Sequence, residues 1–162
     1  MFPDQQTYPA YAGAFFSYLF DKRVRGRTIW TIAGGASAAI WEAPGAGGQP
    51  PVEGLAARLP ADALARVDAY DAALAAALPP APFWYLGVLG THPAYAGRGW
   101  GRAVMRVGLR RAAAEGLPAV LETSNPANVD LYRRAGWQVV RQLSEPLTIW
   151  IMQRSPGESH PA

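Results

Sequence analysis

The segment His92-Pro93-Ala94-Tyr95-Ala96-Gly97-Arg98-Gly99-Trp100-Gly101-Arg102-Ala103 sets three glycines two apart, where strand-forming residues give way to a helical run. Glycines at such a junction let backbone N–H groups approach a bulky anion, and the helix dipole favours its negative charge. The chemistry is that of a phosphate cradle. A P-loop would need Gly-Lys-Ser/Thr, which is absent, and a dinucleotide fingerprint starting at Gly97 would need glycine where Arg102 stands. Arg98 and Arg102 lie near enough to the helix start to meet phosphates, whereas Arg106 and Arg110, one and two turns on, read as a solvated stripe. With no cysteine, thiolate catalysis, disulfides and Cys-ligated metals are excluded. His92 and His160 are the only histidines, and His160 stands in a polar tail, so a serine triad or histidine metal site has little to rest on. A net charge of +3 favours a modestly anionic partner, for which a phosphorylated cofactor would suffice, and there is no Lys/Arg block of the kind that marks nucleic-acid binders.

These residues need elements to position them. The length of 162 residues, half of them apolar, fits one domain over 1–154, with a polar tail at 155–162. Tyr8 to Phe20 spaces Tyr11, Phe15, Tyr18 and Leu19 as a helix does. Arg27 to Ala33 and Ala36 to Trp41 read as strands of a hairpin turned at Gly34-Gly35, and Pro44 to Pro51 as a loop. An Ala/Leu-rich insert over 51–79 is expected to form two short helices divided at Pro60-Ala61-Asp62. Phe83 to Gly90 is a strand leading into the cradle, and Gly99 to Glu115 is the helix that the cradle opens. Ala119 to Thr123 is a buried strand, Pro126 to Ala135 a helix capped by Asn125, and Trp137 to Arg141 and Leu147 to Met152 are strands. The order implies an α/β (α+β) sheet with helices on its faces.

The cradle and the segments after it resemble the GNAT acetyltransferase family. Gly99 and Gly101 match its signature, with Ala96 where the family usually has Gln or Arg. In order there follow Leu121-Glu122-Thr123, Ser124-Asn125-Pro126 and Leu131-Tyr132-Arg133-Arg134-Ala135-Gly136-Trp137, so the likeness runs from Trp84 to Trp137. Leu121-Glu122-Thr123-Ser124 is most similar to the puromycin N-acetyltransferase-like branch. The resemblance implies a mixed, mostly antiparallel, twisted sheet, with the family's first strand lacking a counterpart. It also implies acetyl-CoA as cofactor: Val88, Leu89, Gly90 and Thr91 line the pantetheine arm through their main chain. Gly97, Arg98, Gly99, Trp100, Gly101, Arg102 and Ala103 hold the pyrophosphate, and Asn125 and Asn128 stand beside the cofactor.

Moving an acetyl group from a thioester to an amine requires an uncharged amine, a stabilised oxyanion and a proton for the departing thiolate. The resemblance assigns the oxyanion to a backbone N–H near Leu89 and the acid to Tyr132. Glu122, on a central strand facing a cleft, is the candidate base, and Glu42 a weaker one. Tyr132 as a core aromatic, Glu122 as half of a buried ion pair and Asn125 as a pure helix cap are the structural alternatives. The acceptor is expected to be a small-molecule amine in a pocket shaped by the first helix and the insert, with Trp41, Phe83, Trp84 and Tyr85 making it partly apolar. A protein amine, or a CoA-binding protein without catalysis, are the competing readings. Without a membrane-length apolar run or a signal-like start, the chain reads as cytoplasmic, with no membrane or nucleic-acid partner. The strand at 27–33 would leave a sheet edge, for which a homodimer or a covering segment is expected.

Overall fold

The computed structural model describes residues 2–45, 55–80 and 82–157. Helix α1 spans Tyr8–Val24 and leads into strands β1 (Ile29–Ile32) and β2 (Ser37–Glu42). Helix α2 (Ala61–Ala77), strand β3 (Trp84–Thr91) and helix α3 (Trp100–Ala114) follow, then β4 (Ala119–Thr123), α4 (Pro126–Arg133), β5 (Gln138–Leu143) and β6 (Ile149–Arg154). The six strands form one sheet in the order β1-β2-β3-β4-β6-β5. Only β3 and β4 are parallel. The expected mixed, mostly antiparallel sheet is the observed one.

Helices cover both faces. Val104, Met105 and Ala112 of α3 and Val129 and Tyr132 of α4 pack with Trp41, Trp84, Leu86 and Leu121 on one face. On the other, Leu74 and Ala77 of α2 pack with Val120, Ile149 and Ile151. Ala63 and Val67 of α2 meet Tyr11 and Phe15 of α1. Burying such side chains contributes roughly 1.5–3 kcal/mol each, which makes these contacts the main hold on the helices. α3 sits close because Gly108 carries no side chain: a Cβ there would overlap the Trp41 indole.

The sequence reading needs four corrections. Residues 61–77 are a single helix, and Pro60 stands at its N-cap in extended conformation instead of dividing two helices. A proline is tolerated at that end, where its missing N–H has no intrahelical partner to lose. The expected helix before it lies partly outside the described residues, as do most of the loop at 44–51 and the end of the tail, with His160. α1 runs past the charged Asp21-Lys22-Arg23 to Val24, because those side chains leave the axis free to continue. The last two strands begin and end one or two residues later than expected, within the usual fraying of such boundaries. Trp41 and Trp84 are core residues, 0% and 2% exposed, and neither lines the large pocket between α1 and α2 expected to hold the acceptor.

β1 pairs with β2 alone among the described residues, so it is an edge strand. α1 packs beside it and β2.

Candidate active site

Period-two alternation decides which side chains face the cleft. On β4, Leu121 packs toward α3 and α4, while Val120 packs toward α2, so Glu122 shares the face of Val120. On β3, Tyr85 points the same way and Gly87 follows it two residues on. The pairing of β3 with β4 runs through Trp84↔Ala119, Tyr85↔Val120 and Leu86↔Leu121 and then stops, although β3 continues to Thr91 and β4 to Thr123. The strands therefore part after Leu86. From Gly87 on, the edge of β3 that faces β4 has backbone groups with no strand partner there.

At the end of that gap lies the cradle. Gly97 and Gly99 adopt φ of 79° and 72°, a left-handed backbone that glycine enters without a Cβ penalty. Gly99 caps α3, and the first intrahelical bond runs from Ala103 N to Gly99 O at 3.0 Å. The N–H groups of Gly99, Trp100, Gly101 and Arg102 are thus the ones left open, and that of Ala103 is already spent, which removes Ala103 as a backbone donor. A Cβ on Gly101 would come within 3.2 Å of Thr91 Oγ1. Arg98 lies over the rings of Tyr95 and Trp100, which stack with centroids 5.1 Å apart. Arg102, Arg106 and Arg110 are exposed along α3.

A groove of about 670 Å³ runs from this cradle past Leu89, Gly90 and Thr91 to Asn128 and Tyr132. It opens into a central cavity of about 450 Å³ that shares Leu89, Gly90, Asn128 and Tyr132 and adds Val88, Glu122 and Ser124. Tyr132 stands at the junction, 8% exposed, with its ring edge-on to Trp137 at 6.0 Å. Its hydroxyl has no hydrogen bond among the described residues. Burial, then the charge of Glu122, pushes its pKa up to about 12, so the phenol holds its proton throughout the physiological range.

Glu122 accepts hydrogen bonds from the hydroxyls of Tyr70, at 3.2 Å, and Tyr85. Burial raises its carboxyl above the usual carboxylate range, against the pull of the Tyr85 and Tyr70 hydroxyls and of Arg23. The two phenols are raised in turn, by burial first and then by the Glu122 charge. No cation forms a salt bridge with Glu122 among the described residues, so the buried-ion-pair alternative does not hold. Glu42 is the residue that is paired, at 2.8 Å from Arg23. Asn125 caps α4, its Oδ1 accepting from Ala127 N at 3.0 Å. Asn128 Nδ2 donates to Thr123 Oγ1 at 3.4 Å and reaches groove and cavity alike. Sequence reasoning missed Tyr70 and Gly87. Tyr70 stood out only as a lone aromatic on an alanine-rich helix, and Gly87 only by its parity with Tyr85.

Residues 62–137 match the acetyltransferase (GNAT) family. Over that stretch, 76 of the 162 residues, this chain is similar to the GNAT acetyltransferases. Among solved structures it is similar to a Corynebacterium glutamicum protein described as histone acetyltransferase HPA2 and related acetyltransferase. That likeness has 20% identity, covers 99% of this chain and 81% of the other, and has a TM-score of 0.62. At that identity it shows the GNAT fold. Weaker likenesses are to Arabidopsis thaliana Naa50 in complex with the bisubstrate analogue CoA-Ac-MVNAL and to a mosquito arylalkylamine N-acetyltransferase like 5b. The first has 19% identity, covers 46% of this chain and 56% of the other, and has a TM-score of 0.43. The second has 15%, 74%, 68% and 0.47 in the same order. GNAT proteins bind acetyl-CoA, and the groove, with its open amides and glycine-lined floor, fits such a group.

Proposed function

We propose that this chain is a GNAT acetyltransferase that uses acetyl-CoA to acetylate the amine of a small molecule by direct transfer. The observation that carries the reading is the continuity of the groove and central cavity, with Tyr132 on both and Glu122 at the far side. Bound acetyl-CoA supplies a thioester carbonyl open to attack by an amine. The amides of Gly99 to Arg102 and the Arg102 guanidinium hold the pyrophosphate, and unpaired backbone of β3 from Gly87 to Thr91 holds the amide-bearing arm. The Leu89 N–H meets negative charge growing on the carbonyl oxygen. Glu122, made more basic by burial, takes a proton from the entering ammonium and passes it to solvent. Tyr132 gives its proton to the departing sulfur and is restored by the second proton of the nitrogen. An ammonium thus loses two protons, one to sulfur and one to water.

Supporting a small acceptor is the size of the outer pocket, about 460 Å³, within the range of small-molecule sites. The test is to incubate the protein with acetyl-CoA and separate panels of small amines and peptides, following free CoA with a thiol reagent that a cysteine-free chain does not confound. Turnover with small amines is expected. Turnover with peptides alone would move the acceptor to protein, and CoA binding without turnover would leave a cofactor-binding protein. The edge strand β1, paired only with β2 among the described residues, supports a homodimer, for which light scattering should give about twice the 17.4 kDa chain mass.

A further inference from the structure

We propose that the acceptor is a monoamine on an aromatic or otherwise apolar body, which lies between α1 and α2 while its nitrogen reaches Glu122 through the opening that Gly87 leaves in β3. The proposal rests on the acetyl-transfer reading above and adds the substrate class. The outer pocket shares Phe16, Tyr70, Gly87 and Glu122 with the central cavity, so the two are continuous. Its remaining wall is mainly apolar: Phe15, Leu19, Leu74, Leu78 and Phe83. Phe16, although 48% exposed, faces both cavities. An exposed phenylalanine at a cavity junction is surface that an apolar guest would cover.

The charges of this pocket nearly cancel. Arg23 is spent on Glu42 at 2.8 Å, and Lys22 lies within electrostatic reach of Asp71. Glu122, held by two neutral phenols at the inner end, has no salt bridge among the described residues, with Arg23 acting on it only from a distance. One negative group beside the reaction centre suits one ammonium. A carboxylate on the acceptor would face the Glu122 carboxylate, and Arg23, the guanidinium beside Gly87, is already paired with Glu42. A second ammonium would meet a mainly apolar wall whose other carboxylates, Glu42 and Asp71, already face Arg23 and Lys22.

Gly87 sets the width of the passage. A Cβ there would touch Arg23 Nη2 and Tyr85 Cε1, both at 3.4 Å, which is ordinary contact that a methyl group fills and a larger side chain exceeds. The experiment measures kcat/KM for an arylalkyl monoamine, a linear diamine and an amino acid on wild type, Gly87→Ala, Gly87→Leu and Phe16→Ala, with CoA affinity by calorimetry and Tm on each. Wild type is expected to favour the arylalkyl monoamine at least about tenfold, 1.4 kcal/mol in transition-state terms. Gly87→Leu should lower that preferred rate by more than tenfold at unchanged CoA affinity, with Gly87→Ala intermediate, and Phe16→Ala should raise KM for the monoamine. Preference for the diamine or the amino acid overturns the proposal while leaving acetyl transfer standing. CoA binding with no turnover of the monoamine overturns it too, as do rates indifferent to Gly87→Leu in a folded protein. Failure of wild type to bind CoA at all removes the underlying reading too.

Discussion

In the proposed transfer Tyr132 would give a proton and Glu122 would take one, and burial raises the pKa of both. A phenol with its pKa pushed up to about 12 stays protonated, as a donor to sulfur must. Tyr132→Phe removes the hydroxyl and leaves the ring against Trp137, so Tm and CoA affinity should hardly change while kcat falls by about 10² to 10⁴. Unchanged kcat would make the residue a core aromatic and no more. For Glu122 the sign follows from its raised pKa. Between the unfolded value, near 4.5, and the higher folded value the native state binds more protons, so stability falls as pH rises through that window. Glu122→Gln lacks this titration. Its Tm relative to wild type should therefore climb from pH 4.5 toward pH 8, and a difference that shrinks instead would show an ionised form favoured by the fold. What the sequence concealed at this scale was partnership: Tyr70 is 52 residues from Glu122 and Arg23 is 19 from Glu42, and no local spacing joins them.

Elements were more legible where chemistry punctuated them. Gly99, Asn125-Pro126 and Gly136 mark where α3 starts and where α4 starts and stops, because caps are local backbone requirements. The division expected at Pro60 failed because a proline that breaks a helix interior equally well begins one, and only tertiary packing of Ala63 and Val67 on α1 decides which. The parting of β3 from β4 left no mark in the sequence, since each strand alone is an ordinary buried run and the gap belongs to the pair. The cradle is the element that can be tested by charge. Arg102 is exposed in the first turn of α3, so Arg102→Glu should leave Tm near wild type while weakening CoA tenfold or more, about 1.4 kcal/mol. Gly101→Glu should abolish binding, since it adds like charge and bulk beside Thr91. Calorimetric titration finding wild-type affinity in both folded variants would take the phosphate out of this site.

At the scale of the molecule, the groove that runs from the cradle joins elements from both halves of the sheet: β3 and α3 on one side, α4 on the other, across the gap where strand pairing has ended. A ligand that hydrogen-bonds the free edge of β3 and seats its phosphates on α3 supplies contacts that the unfolded chain cannot make, so it must stabilise the fold by mass action. At a concentration one hundred times its Kd the gain is about 2.7 kcal/mol. For a chain of 162 residues that corresponds to a rise in Tm of roughly 5–10 °C. The two parts of the groove can be told apart by what is added. CoA should give the full shift, pantetheine, which has the arm and no pyrophosphate, a smaller one at equal concentration, and inorganic pyrophosphate alone a smaller one still. In Arg102→Glu the CoA shift should collapse toward that of pantetheine, because the arm still finds β3 while the cradle repels. Equal shifts for CoA and pantetheine in wild type would mean that α3 contributes nothing to binding, and that the glycines of the cradle serve only to start the helix.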